Sequence, residues 1–381
     1  MQKSIRYVGL DVHAETIAVA VAETGGEVRS MGTIPNSPEA VRKLVKRLGP
    51  EKTLHVCYEA GPTGYVLYWQ LTQLGVACEV VAPTLVPVKA GDRVKTDRRD
   101  AEKLARCYRA GDLTAVWVPD AAHEALRDLV RGREAAKKDQ TRARHRLSKM
   151  LLRQGRRHPE RITPWTVTHM DWARRQKFEQ PAQQAAFLDY VNEVDHAVER
   201  LERLDTALDT AVEAAPASMR AVIEALQALR GVAKVTATTV VAEVGRLSRF
   251  DHPTQLMGYS GAVPSEYTTG SKERKGAVTK TGNAHLRRVI VEASWAYRRG
   301  PQLSGPLRKR QEGLAPEIKE IAWKAQVRLC SRYRRLCAKG KPEPQAVTAV
   351  ARELLGFIWA IGSRVEREYE AKHPQPSQKA A

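Results

Sequence analysis

Cysteine is scarce in this chain of 381 residues: there are five, Cys57, Cys78, Cys107, Cys330 and Cys337. The number is odd and no two stand as CxxC, which excludes a disulfide framework and a structural zinc site and leaves them as small core residues. Long apolar runs are missing too. None approaches the ~20 residues of a membrane-spanning helix, and the opening MQKSIRYVGL leads into a strand without a signal-peptide profile. The expectation is a cytoplasmic protein with no membrane segment. Acidic charge is in deficit, with 43 Asp and Glu against 63 Lys and Arg and a formal net charge of +20. An excess of that size favours a polyanion, above all nucleic acid, through phosphate contacts and counterion release. The length predicts two or more domains.

What is present starts with Arg6 to Glu23, RYVGLDVHAETIAVAVAE. Tyr7 to Leu10 reads as a buried strand, His13 to Glu15 as a polar turn, and Thr16 to Ala22 as a second strand, so the stretch predicts a hairpin. Asp11 interrupts its apolar run. A buried carboxylate is costly without a cation beside it, so a metal ion is one partner to expect, a strand-end bond to a neighbouring turn the other. Ser37 to Leu48 reads as a Ser-capped amphipathic helix, and Leu54 to Tyr58 as a strand ending at Glu59. The turn Ala60 to Gly64, a helix over Tyr65 to Gln73 and a strand over Cys78 to Ala82 follow. The alternation argues for an α/β layer with acids at strand ends on one edge of the sheet. Asp97 and Asp100, three apart, share one face of a helix or its first turn, where they can serve the helix dipole or meet one cation. The series Asp11, Glu59, Asp97 and Asp100 can hold one or two Mg²⁺ ions, with Lys95, Arg98 and Arg99 beside it.

The motifs GLDVHAETI, CYEAGPTGY and KTDRRDAEKLA resemble the three acidic motifs of the DEDD insertion-sequence transposases, the bridge-RNA-guided serine recombinases, over nearly the whole chain. The resemblance implies an α/β RuvC-like domain of ribonuclease-H fold over residues 1–118 that holds Mg²⁺ on Asp11, Glu59, Asp97 and Asp100. It also implies an α-helical or coiled-coil spacer over 119–218 and a mainly α-helical C-terminal transposase domain over 219–300. Basic helices over 301–369 and a disordered tail over 370–381 complete the expected order. Donor and target DNA, a structured noncoding guide RNA and a homo-oligomer, dimer or tetramer, are the implied partners.

The middle of the chain predicts two long helices, one basic and one acidic, separated by residues 158–181. They suit an intramolecular antiparallel pair or an oligomeric coiled coil, and Trp165 and Trp172 between them suit RNA contact or a small core. Ile223 to Arg249 reads as helix, turn at Gly231, helix, which resembles a helix-hairpin-helix; Ala233 stands where a second glycine is common. In Ser265 to Asn283 small, hydroxylated and basic residues dominate. Such a loop can bring a hydroxyl to a phosphate held by Lys272, Arg274, Lys275, Lys280, Arg287 and Arg288. Aligned on Pro264, Tyr267 and Gly270, the family's nucleophile position is Thr269 rather than serine, with Ser271 as the alternative. Arg298 to Lys341 carries thirteen basic against three acidic residues and predicts a basic helical surface with Trp323, Leu329, Tyr333 and Leu336 on its apolar side. The reading is a transposase that cuts and rejoins DNA through a covalent intermediate. Its alternatives are a RuvC-like structure-specific endonuclease that hydrolyses without one, and a non-catalytic nucleic-acid-binding protein.

Overall fold

The computed structural model describes residues 5–88, 91, 95–270 and 272–374, and the chain divides into two compact units, Met1–Val118 and Pro119–Ala381. In the first, β1 (Arg6–Val12), β2 (Thr16–Glu23) and β3 (Val28–Pro35) run antiparallel, while β4 (Leu54–Glu59) and β5 (Ala77–Val81) add on parallel, giving the order β3-β2-β1-β4-β5. The hairpin expected from Arg6 to Glu23 is there. Strand β3 has no counterpart in the sequence pattern: its residues are at most half-buried, so no clean alternation marks them, and the strand is held at the edge by pairing with β2 across a register shift.

The two faces of this sheet are built differently. Val8 and Leu10 of β1, with Ile17, Val19 and Val21 of β2 and Val56 and Tyr58 of β4, form a large-residue core under α1 (Pro38–Leu48) and α2 (Val66–Gln73). Ser37 caps α1 by accepting from the amide of Ala40. On the opposite face, strand alternation presents Gly9 and Asp11, then Ala18, Ala20 and Ala22, to α3 (Asp97–Ala110). Ala101 and Ala105 of α3 are fully buried against those alanines. Helix and strand touch backbone to backbone at Gly9, where a Cβ would lie 2.4 Å from both the Ala101 carbonyl oxygen and the Ala105 nitrogen.

The second unit is mostly helical. Helices α4 (Ala121–Arg153) and α6 (Pro181–Ala214) pair within the chain, and Arg133 to Asp205, Asp139 to Arg200 and Arg146 to Glu193 run in opposite directions along them, so the pair is antiparallel. Leu188 lies off the seam, half exposed, whereas Phe187, Val191 and Val194 are buried. Between them α5 (Val167–Arg174), Trp165 and Trp172 pack on Leu147, Met150 and Phe187 as a small core. Helices α7 (Ala217–Leu226) and α8 (Lys234–Val244) join at Gly231, whose missing side chain lets the turn press on α10 (Ala284–Ser294): a Cβ would lie 2.2 Å from the Ala293 carbonyl oxygen. This glycine is thus required by protein packing.

Helix α9 (Pro253–Ser260) leads into a two-stranded hairpin, β6 (Pro264–Glu266) and β7 (Lys275–Val278), where the sequence suggested only a loop. Helices α11 (Gly305–Gln311), α12 (Pro316–Ala338) and α13 (Glu343–Lys372) close the unit. Trp323 is 47% exposed, a correction to its expected place: the buried seam of α12 runs through Ile318, Ala322, Ala325, Leu329 and Tyr333, one residue off in helical phase. Helix α13 is long and apolar enough to cross a membrane by length and composition alone, a correction to the expectation that no such run exists. Its Val347, Leu354, Ile358 and Ile361 are fully buried in the unit's own core. The helix continues to Lys372, past the expected start of the tail at 370, with Glu370 tied to Arg246.

Gly9→Ala should cost on the order of 2 kcal/mol or more, because backbone atoms cannot move aside as a flexible side chain would. Gly26→Ala, whose Cβ would meet only Glu23 at 3.5 Å or beyond, should stay within about 0.5 kcal/mol of wild type. Urea midpoints of the two variants test the contrast.

Candidate functional site

Strands β1 and β4 are parallel with Leu10 beside Tyr58, so the next residue of each strand brings Asp11 and Glu59 to neighbouring carboxyl ends. Hydrogen bonds shape the turn behind Glu59: the Tyr58 hydroxyl donates to the Gly64 carbonyl at 3.0 Å, and the Ala60 amide to Val81 at 2.9 Å. From above, α3 begins at Asp97. Thr96 caps it by accepting from the Arg99 amide, and Asp100 follows at the end of the first turn. The close contact at Gly9 sets that first turn over the end of β1.

The acids feel one another. Burial pushes the Asp11 carboxyl above its ordinary value, and the charges of Asp100 and Asp97 add to the effect while His13 partly offsets it. Glu59 is raised for the same reason, by burial and then by Asp11 and Asp100, with Lys103 and Lys95 opposing. Among the described residues, Asp100 Oδ2 is buried without a hydrogen-bond partner, with the Lys95 ammonium 3.9 Å away. A carboxylate oxygen left in that state, amid like charges, fits a site for a divalent cation. His13, which the sequence pattern places only in a turn, also belongs here: its Nε2 stands 3.3 Å from Asp11 Oδ2 and 3.5 Å from Asp97 Oδ1. Asp11, His13 and Asp97 each offer a donor atom within 4.8 Å of the others.

In the second unit Thr269 lies exposed near the tip of the β6–β7 hairpin, exchanging two backbone hydrogen bonds of 3.2 Å with Lys272 across Gly270 at φ +60°. Ser271 is outside the described residues. Lys272, Arg274, Lys275 and Lys280 are exposed, with Lys275 paired to Glu273. Arg287 and Arg288 are engaged elsewhere: Arg287 donates to the Ser260 carbonyl at 2.7 Å, and Arg288 bonds Glu134 and Glu292. Two buried acids root the hairpin's base. Glu243 takes a two-pronged bond from Arg131 at 2.7 and 2.9 Å and another from Asn283 at 2.7 Å, and Asn283 in turn caps α10. Glu134 binds His285 at 2.7 Å, together with Lys138 and Arg288. Sequence reasoning missed both acids, although Glu243 interrupts the apolar run VVAEVG much as Asp11 interrupts its own.

Fold and site define a class: an α/β unit with an acidic cluster suited to a divalent cation, joined to a basic helical unit. Residues 8–154 match a transposase model of the DEDD type found in IS110 elements, and residues 223–305 match the transposase IS116/IS110/IS902 family. The chain is 45% identical over 359 residues to y4qE of Sinorhizobium fredii (strain NBRC 101917 / NGR234), a transposase by provisional name, covering 93% of this chain and 88% of the relative. It is 32% identical to the transposase for insertion sequence element IS1533 of Leptospira borgpetersenii, over 88% of this chain and 97% of that one. A third relative, the transposase for IS1111A of Coxiella burnetii, is 23% identical over 78% of the chain and 79% of its own length. The chain belongs to the IS110 family of insertion-sequence transposases, whose general activity is DNA cleavage and transfer.

Glu134 gives a pH test of the hairpin's base. Burial alone would raise its carboxyl, but the bonds from His285, Lys138 and Arg288 hold it down to about 2 from an ordinary 4.5. A depressed carboxyl stabilises the fold above its unfolded value, and that stabilisation is lost as pH falls through the folded one. Wild type should therefore exceed Glu134→Gln by on the order of 3 kcal/mol above pH 5, with the gap closing between about pH 4.5 and 2. Denaturant titrations of both proteins across that range measure it.

Proposed function

We propose that this transposase cuts and rejoins DNA with the carboxylates of its first unit and a hydroxyl of its second. The observation that carries the reading is the convergence of Asp11, Glu59, Asp97 and Asp100, from two strand ends and one helix start, into one cluster in which burial, and then the neighbouring acids, push Asp11 and Glu59 above their ordinary values. The first unit is read as a RuvC-like ribonuclease-H fold over 1–118, supported by three antiparallel strands extended by two parallel ones with acids at the parallel ends. Residues 119–218 are read as the spacer, 219–300 as the transposase domain and 301–369 as the basic helices, while most of the tail expected over 370–381 lies outside the described residues. The resemblance adds a guide RNA that pairs with donor and target DNA, a dimer or tetramer joined through the α4–α6 pair, and action in the cytoplasm.

Asp11, Glu59, Asp97 and Asp100 would hold Mg²⁺, as one ion or two. A bound divalent cation stabilises the negative charge that grows on a phosphate under attack. The residues themselves do the rest. The carboxylates would hold that cation, and Lys272, Arg274, Lys275 and Lys280 attract the strand to the exposed hairpin. Thr269 Oγ1 attacks phosphorus, forming a threonine–phosphate ester as a P–O bond of the strand breaks, while the hydroxyl proton passes to solvent and the departing oxygen gains one. The phosphoester is conserved, so rejoining needs no outside energy source.

The protein with Mg²⁺, its element-flanking RNA and labelled donor and target DNA should give a denaturation-resistant protein–DNA adduct that maps to Thr269. An adduct at Ser271 moves the nucleophile two residues along. Cleavage without any adduct, unchanged in the Thr269→Ala Ser271→Ala double variant, means hydrolysis and sinks the covalent reading. Asp11→Asn and Glu59→Gln should each lower cleavage by about 100-fold or more while DNA binding persists.

A further inference from the structure

The four carboxylates do not form one even set. Among the described residues, the donors close enough to share an ion are Asp11, His13 and Asp97, and Glu59 and Asp100 stand outside that group. The group includes a nitrogen. We infer that the site contains a distinct subsite, Asp11–His13–Asp97, in which the His13 imidazole binds the cation directly and turns its preference toward first-row transition ions of the Mn²⁺ type. The inference rests on reading the carboxylates as a cation site.

Three observations support it. The first is distance: neighbouring ligands around an octahedral ion with bonds of about 2.1 Å lie about 3 Å apart, and His13 Nε2 stands 3.3 and 3.5 Å from the two carboxylate oxygens. Shifts of about half an ångström would bring both His13 pairs to that spacing, and the three donors already lie within 4.8 Å of one another. The second is anchorage. The His13 amide donates to the Thr16 carbonyl at 2.8 Å, and the His13 carbonyl accepts from the Asn36 side chain at 2.8 Å. The backbone that carries the ring is thus pinned at both polar groups in a tight turn, while the ring stays half exposed and open to an ion.

The third is donor chemistry. An oxygen-only set suits Mg²⁺, a hard ion that keeps its waters. A neutral imidazole nitrogen adds affinity for Mn²⁺ and Co²⁺, which accept nitrogen donors more readily. Glu59 and Asp100, which offer oxygen donors only, lie outside the group that contains His13. Asp11 stands between the two parts: its charge acts on Glu59, and its carboxylate faces His13.

The test uses the full chain with Mn²⁺ alone, without nucleic acid. Pulsed electron paramagnetic resonance of the bound Mn²⁺ should show ¹⁴N coupling from a directly coordinated imidazole, and His13→Gln should remove that coupling. His13→Gln should also weaken Mn²⁺ by about tenfold and Mg²⁺ much less, measured by competition. His13→Asn is the second variant should the first fail to fold, as judged by thermal melting. If Mn²⁺ binds, is lost in Asp11→Asn, and shows no ¹⁴N coupling, the imidazole is not a ligand and the inference falls while the carboxylate site stands. The inference falls in the same way if His13→Gln leaves the ratio of Mn²⁺ to Mg²⁺ affinity unchanged. Failure of wild type to bind Mn²⁺ at millimolar concentration overturns both.

Discussion

The close approach of α3 to β1 at Gly9 is the contact on which the first unit's arrangement depends. A side chain there would occupy the space of the Ala101 carbonyl oxygen and the Ala105 nitrogen. With hydrogen at Gly9, and with Ala18, Ala20 and Ala22 on β2, the helix backbone settles against the sheet and its first turn arrives over the end of β1. Asp97 and Asp100 enter the neighbourhood of Asp11 because of that fit. Small residues bury little apolar area each, so this face contributes position more than stability. The large residues on the other face, from Val8 and Leu10 to the leucines of α1 and α2, supply the driving force for folding. One sheet thus divides the two tasks between its sides.

The acids of the two units show what partners do to a buried carboxylate. Glu134 and Glu243 are nearly or fully buried, and both are held below their ordinary values by bonds from Arg288, Arg131, His285 and Asn283. Removing one partner would strand a charge, so such groups act as fixed joints, here fastening the start of α10 and the base of the hairpin to α4 and α8. Asp11 and Glu59 are shifted the other way, first by burial without a matching set of donors and then by the like charges of their neighbours. A cluster that raises its own acids is unfavourable without a ligand, and the same imbalance is what a divalent cation relieves.

Much of the local structure is legible in the chain directly. Short apolar runs mark β1 and β2, a Ser cap marks α1, and the acidic motifs mark the strand ends and helix start that the structure brings together. Edge strand β3 escapes because only pairing with β2 gives Val28 to Pro35 a reason to be extended. The β6–β7 hairpin escapes because its short strands carry small, polar and charged residues with little apolar alternation. Arg287 and Arg288 read as free cations, yet both are engaged, Arg287 by the Ser260 carbonyl and Arg288 by Glu292 one turn on and by Glu134, 154 residues away. Charge composition counts such a residue as available, whereas folding has already engaged it.

The sequence by itself determined the elements whose signals are local: caps, short apolar strand runs, the spacing of Asp97 and Asp100, and the excess of positive charge. These depend on backbone preference and on neighbours within a few residues, so they can be read before any fold exists. Only the tertiary structure decided which acids are paired and which remain unmatched. It alone showed that His13 stands between two aspartates and that Gly9 is required by a helix almost a hundred residues later. Those features depend on distances between remote segments, and these distances are set when side-chain volumes are packed together.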